Sequence, residues 1–175
     1  KMLWKKNVKD EGGIEPEWGL SSTPIVYENK VIVQGGGDAQ VIAYDKFSGN
    51  VIWKSMKGKA GYAAATLMIM DEKPYLIVYQ GLGLSCLDPK DGKEIWTLPW
   101  ETDYGVNATT PLIDGNIIFH SSAYGMGSQA IDASNNVAKV LWKNENFEAQ
   151  HTDPVILDGY IYGYSGESYV NKGNF

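Results

Sequence analysis

The amino-acid sequence repeats with a period of 43 or 44 residues, and this repeat constrains the fold more than any other feature. Two landmarks keep the same period: an aspartate that precedes a turn, and a position that opens a run of apolar residues. The landmarks are Asp45, Asp88 and Asp132, and Pro24, Leu67, Pro111 and Pro154. A period of this length is typical of architectures in which each repeat is one supersecondary unit.

Each repeat contains short, β-rich apolar runs separated by turn residues such as Asp114-Gly115. A hairpin comes first, a strand with the aspartate follows, and a strand with a tryptophan ends the unit, so each repeat predicts four antiparallel strands. Such units predict an all-β fold, a β-propeller with about three and a half to four blades and almost no helix. A β-sandwich would not explain why whole four-stranded units repeat. The expected inner strands begin near Ser22, Ala65, Thr109 and Thr152.

Composition excludes several other classes of protein. The 15 basic and 21 acidic residues give a net charge of −6 and are scattered along the chain, which argues against a nucleic-acid footprint. The longest stretch without charged residues, 115–131, is interrupted by His120 and by serine and amide side chains, so no membrane span is expected. A single cysteine, Cys86, excludes a disulfide within the chain, and we expect it to be buried and inert.

The motif formed by Ala43, Asp45, Gly49 and Trp53 resembles the repeat of the pyrrolo-quinoline-quinone-type β-propellers. The second repeat matches it with cysteine in place of alanine, whereas the third is two residues longer and has Asn135-Asn136 in place of the glycine turn. The family includes quinoprotein alcohol dehydrogenases and the propeller lipoprotein of the outer-membrane barrel-assembly machinery. The resemblance implies an eight-bladed propeller whose repeated tryptophans dock between blades. These structural tryptophans are Trp4, Trp53, Trp96 and Trp142.

The landmarks divide the chain into one propeller region, 1–175. Residues 1–18 are expected to hold the outer strand of a preceding blade and a loop, followed by blades at 19–60, 61–103 and 104–148 and a partial blade at 149–175. A third strand of that partial blade should start at Phe175. Incomplete blades predict that other blades of a longer chain close the ring. The alternative is that the Trp4 strand completes the last blade, within one chain or from a second copy.

Strand parity separates two ends of each blade. One end, which we call the turn end, holds the connections between strands one and two and between strands three and four. These connections are short and charged. The other end, which we call the loop end, holds the connections between strands two and three and the connections between blades. These connections are richer in glycine and aromatic residues. Long loops on a rigid scaffold concentrate binding residues. The predicted ligand face at the loop end is Trp18, Tyr62, Tyr104, Asn107, His120, Tyr124, Gln150 and His151.

The sequence favours a non-catalytic scaffold over an enzyme, because no nucleophile pair or acid–base dyad can be identified. The expected partner is a protein or a small ligand at the loop end, without cofactor or metal, and the resemblance implies a periplasmic or cell-envelope location. The alternative is a quinoprotein-type oxidoreductase with pyrrolo-quinoline quinone and calcium. The family's enzymes hold the quinone against a vicinal disulfide, which one cysteine cannot form, and no spacing marks Asp103, Asn107 and Asp153 as a calcium site. A sensor that binds a small ligand in the central funnel is a third possibility.

Overall fold

The computed structural model describes residues 1–166 as a series of antiparallel sheets in which strands follow one another in chain order. Three sheets have four strands and one has two, so the described residues form three complete propeller blades and the inner hairpin of a fourth. The predicted all-β fold is confirmed. Helical structure in this part of the chain is limited to 3₁₀ turns at Val8–Glu11, Asp103–Gly105 and Ser134–Asn136.

The blades have the same strand plan. The first contains β1 (Ile25–Tyr27), β2 (Lys30–Gln34), β3 (Val41–Asp45) and β4 (Val51–Ser55). The second contains β5 (Thr66–Met70), β6 (Lys73–Gln80), β7 (Gly83–Leu87) and β8 (Glu94–Pro99). The third contains β9 (Leu112–Asp114), β10 (Ile117–Ser122), β11 (Gly127–Asp132) and β12 (Lys139–Asn144), and the last hairpin is β13 (Val155–Leu157) with β14 (Tyr160–Tyr162). The inner strands begin one to three residues after the expected positions.

The repeated aspartate forms the turn between the third and fourth strands. In the first blade, Asp45 Oδ1 accepts hydrogen bonds from the backbone N–H groups of Phe47 and Ser48, and Gly49 N donates to Asp45 O at 2.8 Å. The carboxylate therefore satisfies backbone donors that the turn would otherwise leave free. Gly49 has a φ of +72°, and in the third blade Asn135 and Asn136 adopt φ values of +60° and +59° at the turn. The two asparagines thus supply the left-handed backbone that glycine supplies in the other blades.

Hydrophobic packing between neighbouring blades forms the core. Alternate residues of β6 contact opposite neighbours: Leu76 and Val78 pack in one cluster with the first blade, and Ile77 and Tyr79 pack in another with the third. A sheet that is packed on both faces loses the apolar–polar alternation of a half-exposed sheet. This explains why six consecutive residues of β6, 75–80, are buried.

Trp4 and Trp53 each lie across the turn glycine of the next blade. A Cβ atom at Gly49 would lie 2.7 Å from the Trp4 ring, and one at Gly92 would lie 2.6 Å from the Trp53 ring. Glycine is thus required at these turns by a close approach as well as by φ. Trp53 is 8% exposed, whereas Trp142, at the same repeat position, is 43% exposed.

Two expectations concern the ends of the chain. The expectation of an outer strand around Trp4 is wrong for this structure, because residues 1–7 form no strand; the Trp4 indole Nε1 instead donates to Lys46 O of the first blade at 3.0 Å. The strand expected to start at Phe175 lies outside the described residues. Within the described range, none of the helices is long and apolar enough to cross a membrane.

Candidate functional site

Hydrogen bonds between turns give the turn end its structure. In the first blade, the β1–β2 turn is tied to the β3–β4 turn because Lys46 N donates to Asn29 O at 2.8 Å. In the third blade, the Asn116 side chain donates to Asp132 Oδ1 at 2.7 Å, and Ala133 N donates to Asn116 O. The turns are thus tied to one another by hydrogen bonds. A recess of about 360 Å³ at this end is lined by residues of the turns, among them Lys73, Asp88 and Asn136.

The loop end is built by contacts between the strand-two-to-three loops and the connections between blades. The backbones of Gly37 and Gly58 form an antiparallel bridge, the Gln40 side chain donates to Lys59 O at 2.9 Å, and Gly81 N donates to the same oxygen at 3.0 Å. Both classes of connection therefore meet at one end, as strand parity requires. Because backbone atoms make most of these bonds, the loops form a fixed scaffold for the side chains they carry.

A cleft of about 540 Å³ opens among these loops. Its apolar lining includes Ile14, Leu82 and Tyr104, which are 66%, 39% and 66% exposed. Ile14 N donates to Gly35 O at 2.9 Å, and Trp100 N donates to Leu82 O at 3.0 Å, so the backbones that present the first two side chains are fixed. Three charged residues also line the cleft: Glu15, Glu17 and Lys59.

Trp18, Tyr62 and Tyr104 form an aromatic cluster beside the cleft. The Trp18 ring centroid lies 6.0 Å from that of Tyr62 and 5.9 Å from that of Tyr104, with interplanar angles of 57° and 83°. Trp18 N contacts the Tyr62 hydroxyl at 3.5 Å. Partial burial, with Glu17 close by, raises the pKa of Tyr62. Three of the eight predicted face residues are therefore brought together, and Tyr104 belongs to both the cluster and the cleft.

Asn107, also on the predicted face, is fully buried and connects loops. Its side-chain Nδ2 donates to Gln80 O at 2.9 Å and to Trp100 O at 3.0 Å, and its backbone oxygen accepts from Tyr62 N at 2.9 Å. Both amide hydrogens are thus used by the protein, so Asn107 holds the loop that carries Tyr62. This side chain supports the face and does not line the cleft.

His120 is fully buried between Tyr79 and Trp100, whose ring centroids lie 5.1 and 4.7 Å from the imidazole. Its Nε2 is 3.0 Å from Gln129 Oε1, and in this geometry the imidazole Nε2–H donates to the amide oxygen. Burial lowers the pKa of His120 to about 4, so the ring is neutral at physiological pH. His120 is a core residue of the seam between the second and third blades.

The remaining predicted residues lie near the start of the fourth blade. The Gln150 side chain donates to the Tyr124 hydroxyl at 3.0 Å; Gln150 is buried and Tyr124 is half-buried. His151 is exposed. Ligand binding by this set of residues stays a prediction.

Sequence reasoning missed the apolar lining of the cleft. Ile14 and Leu82 lie in loops that were assigned to the correct end, but neither side chain was selected, because each is a single aliphatic residue in a glycine-rich or acidic segment. The one sign in the sequence is that Ile14 and Leu82 are apolar residues in loops, where polar residues are expected. Only contacts between loops that are distant in sequence reveal that the residues share one cleft.

The structure places several of the residues that the quinone and calcium alternative concerns. Cys86 is fully buried in β7, and burial raises the pKa of its thiol to about 12. Asn107 Nδ2 donates to the backbone oxygens of Gln80 and Trp100, whereas its buried Oδ1, the atom that could bind calcium, accepts no hydrogen bond from the described residues. Asp153 Oδ1 accepts from Thr110 N at 2.7 Å. No group of three or more His, Cys, Asp or Glu residues in the described part of the chain is arranged to hold a metal ion. The quinone and calcium site implied by the resemblance stays a prediction.

Comparison with known proteins identifies the repeat. Over residues 1–172 the chain matches the family described as outer membrane protein assembly factor BamB. No curated protein is similar enough to the chain to count as a match. The family match covers every described blade, and it confirms the predicted resemblance to the quinone-type propeller repeat.

Solved structures show the same fold at low sequence identity. BamB from Moraxella catarrhalis is 16% identical with a TM-score of 0.51, over 86% of this chain and 41% of that chain. The computationally designed protein Ika8 is 15% identical with a TM-score of 0.58, over 85% and 42%. A europium-containing methanol dehydrogenase is 16% identical with a TM-score of 0.51, over 79% and 28%. The chain thus spans about two fifths of the first two structures, and these likenesses show the fold alone.

Proposed function

Because the chain belongs to the family of the outer membrane protein assembly factor BamB, we propose that it is a non-catalytic propeller scaffold in the cell envelope. Its loop end would bind a protein partner. The observation that carries this proposal is the cleft of about 540 Å³, lined by exposed apolar side chains and flanked by an exposed aromatic cluster. Exposed apolar surface is costly in water and marks binding sites more often than chance allows.

Chemistry at the loop end supports binding over catalysis. The two histidines are unsuited to acid–base work together, because His120 is a neutral core residue and His151 is an exposed loop residue. The thiol of Cys86 is buried and protonated, so it is not an accessible nucleophile. The described residues therefore provide a surface and a cleft, and no activated group faces either.

The envelope location and the protein partner are inferred from the family. The family description names an outer membrane protein assembly factor, BamB, and BamB from Moraxella catarrhalis is a solved neighbour of this fold. A propeller suits such a role because its rigid blades hold many loops at one end, where they form one extended surface. We infer the same use of the loop end here.

Two side chains of equal exposure allow a sharp test. Tyr104 at the loop end is 66% exposed, and Phe47 at the turn end is 67% exposed. A photo-crosslinking amino acid placed at either position, in the full chain expressed with an export signal in a bacterial envelope, would report contacts at each end. We expect a discrete protein adduct from position 104 and none from position 47. Equal labelling from both positions, or a discrete adduct from position 47 alone, would contradict the proposal.

The oxidoreductase alternative has its own test. The protein is mixed with pyrrolo-quinoline quinone and calcium, and the absorbance of the quinone and the dye-linked oxidation of methanol and ethanol are measured. We expect no saturable change in absorbance and no turnover, since the single cysteine cannot form the vicinal disulfide that holds the quinone in the family's enzymes. Saturable binding with alcohol oxidation would replace the scaffold proposal with an enzyme.

A further inference from the structure

Two rings of the aromatic cluster, those of Trp18 and Tyr104, are more than half exposed. Trp18 stands at 83° to Tyr104 and at 57° to Tyr62, so the three rings form the walls of a corner and do not stack on each other. Trp18 is 53% exposed. A tryptophan that served only to fill space would bury its ring against neighbours, whereas this one presents it to solvent beside a cleft.

Charge near the corner is predominantly negative. Glu17 precedes Trp18 and lines the cleft, and Asp103 precedes Tyr104; both are exposed, and neither forms an ion pair within the described residues. Glu15 also lines the cleft, but it is paired with Lys9. Lys59 is the one cation among the residues that line the cleft in the described structure, and its aliphatic stem lies along Gly81 and Gly105. The corner therefore offers aromatic faces and two unpaired carboxylates.

From this geometry we propose that the corner formed by Trp18, Tyr62 and Tyr104, with Glu17, binds an arginine side chain of a partner polypeptide. A neighbouring aliphatic side chain of the same segment would fill the cleft along Ile14 and Leu82. The planar guanidinium group stacks on aromatic faces and pairs with carboxylates, so it fits the corner better than a compact ammonium group does. The proposal rests on the proposed function and specifies the chemistry of the partner.

The probe is an array of seven-residue peptides with a central Arg-Leu pair and randomised flanking residues. Each peptide is matched with one in which citrulline replaces arginine, because citrulline keeps the shape and removes the charge. Binding of the labelled full chain is measured on the array, and selected pairs are then measured in solution by fluorescence anisotropy. We expect arginine peptides to bind roughly fivefold or more tightly than their citrulline partners, as a cation–π contact of about 1 kcal/mol predicts.

Variants of the protein test whether the preference for arginine over citrulline depends on the residues of the corner. Trp18→Ala should abolish the preference for arginine, Trp18→Phe should retain part of it, and Glu17→Gln should reduce it. Phe47→Ala, at the turn end, should leave it unchanged. Circular dichroism and thermal unfolding of each variant show that the fold is intact, so loss of the preference is separated from loss of the structure.

Three outcomes would overturn the inference: equal binding of arginine and citrulline peptides, no binding by any peptide, or an arginine preference that survives Trp18→Ala. Binding to phosphatidylcholine vesicles without an arginine preference would assign the corner to a lipid headgroup and would overturn it as well. Crosslinking from position 104 does not depend on arginine. An adduct there without an arginine preference would leave the scaffold proposal standing and remove this inference alone.

Discussion

Phe47 at the turn end and Tyr104 at the loop end are equally exposed, yet they occupy different surroundings. The Phe47 ring has the ammonium group of Lys46 over it at 5.1 Å, and the adjacent Asp45 carboxylate holds the turn by hydrogen bonds. Tyr104 packs beside Trp18 and lines a cleft that several loops share. Exposure of one aromatic side chain is therefore no sign of function, whereas convergence of several exposed side chains on one cleft is.

The comparison extends to how the two ends are held together. At the turn end, side-chain pairs such as Asn116 with Asp132 join the turns of one blade, and a tryptophan of the preceding repeat packs on the turn, as Trp4 does when it donates to Lys46 O. Loop-end residues connect one blade with the next, since the Gln34 side chain donates to Ala63 O at 2.9 Å and Ser121 Oγ accepts from Ala149 N at 2.8 Å. We infer that substitutions of the buried residues that connect blades change stability, and that substitutions of the exposed aromatic residues of the corner change binding.

The largest expected effect is at a seam between blades. Trp53→Ala should lower the free energy of unfolding by about 3–5 kcal/mol, because a buried ring that packs on Gly92 is removed and a cavity is left. Trp142→Ala is the matched control, since the same repeat position is 43% exposed there and the cost should be about 1 kcal/mol. Urea unfolding followed by circular dichroism measures both. If both variants lowered the free energy of unfolding equally, the structural role of the tryptophan would not depend on its burial.

The second prediction uses pH to separate the two ends. Burial lowers the pKa of His120 in the folded state to about 4, from 6.5. The unfolded chain therefore takes up the proton first, so stability is fully present above pH 6.5 and is lost as the pH falls from 6.5 to about 4. The loss should approach about 3 kcal/mol. His120→Gln should flatten the profile in this interval, and an unchanged profile in that variant would contradict the assignment.

Turn-end carboxylates act in a lower pH range. Hydrogen bonds from Ser48 hold the pKa of Asp45 below its usual value, and those from Ser134 do the same for Asp132. These two carboxylates stabilise the folded protein fully at a pH above the pKa of an aspartate in the unfolded chain. That stabilisation is lost as the pH falls through their lowered pKa values in the folded protein. The His120→Gln variant should keep this second, more acidic loss of stability. If the His120→Gln variant lost the pH dependence in both intervals, the two ends would not be independent.

The third prediction concerns the buried support of the aromatic cluster. Asn107→Ala leaves the backbone oxygens of Gln80 and Trp100 without their side-chain donor and should cost about 1–3 kcal/mol. Asn107→Asp offers the matched test, because the carboxylate keeps the shape but has no hydrogen to donate. We expect Asp to destabilise at least as much as Ala. A neutral Asp variant would contradict the donor role assigned to Asn107.

The repeat predicted the blades and the two ends because both depend on local features: turn chemistry, strand length and parity. The bounds of β2 and β3 follow from the run Lys30–Gln34 and from the strand that ends at Asp45. The cleft could not be predicted in the same way. Its lining combines Ile14 from one connection with Leu82 from a loop of the second blade. Their meeting depends on tertiary contacts such as the bonds from Ile14 N to Gly35 O and from Gly81 N to Lys59 O.

His120 shows a second limit of the sequence. Its place near the end of β10 suggested the ligand face, but alternation along β10 directs its side chain into the seam between two blades. The neighbours that bury it, Tyr79 and Trp100, come from the second blade and the connection that follows it. Parity along the strand predicts which end a residue occupies. It does not predict how closely the next blade covers that residue.

The smallest expected effect on stability belongs to the exposed corner, where the effect on binding should be largest. Tyr104→Ala and Phe47→Ala each remove a ring that is about two thirds exposed, so each should change the free energy of unfolding by less than about 0.5 kcal/mol. Their effects on partner binding should differ, because only Tyr104 borders the cleft and contacts Trp18. Urea unfolding gives the first quantity, and competition between each variant and the wild-type chain for the position-104 crosslinked partner gives the second. A Phe47→Ala variant that competes as poorly as Tyr104→Ala would remove the distinction between the two ends.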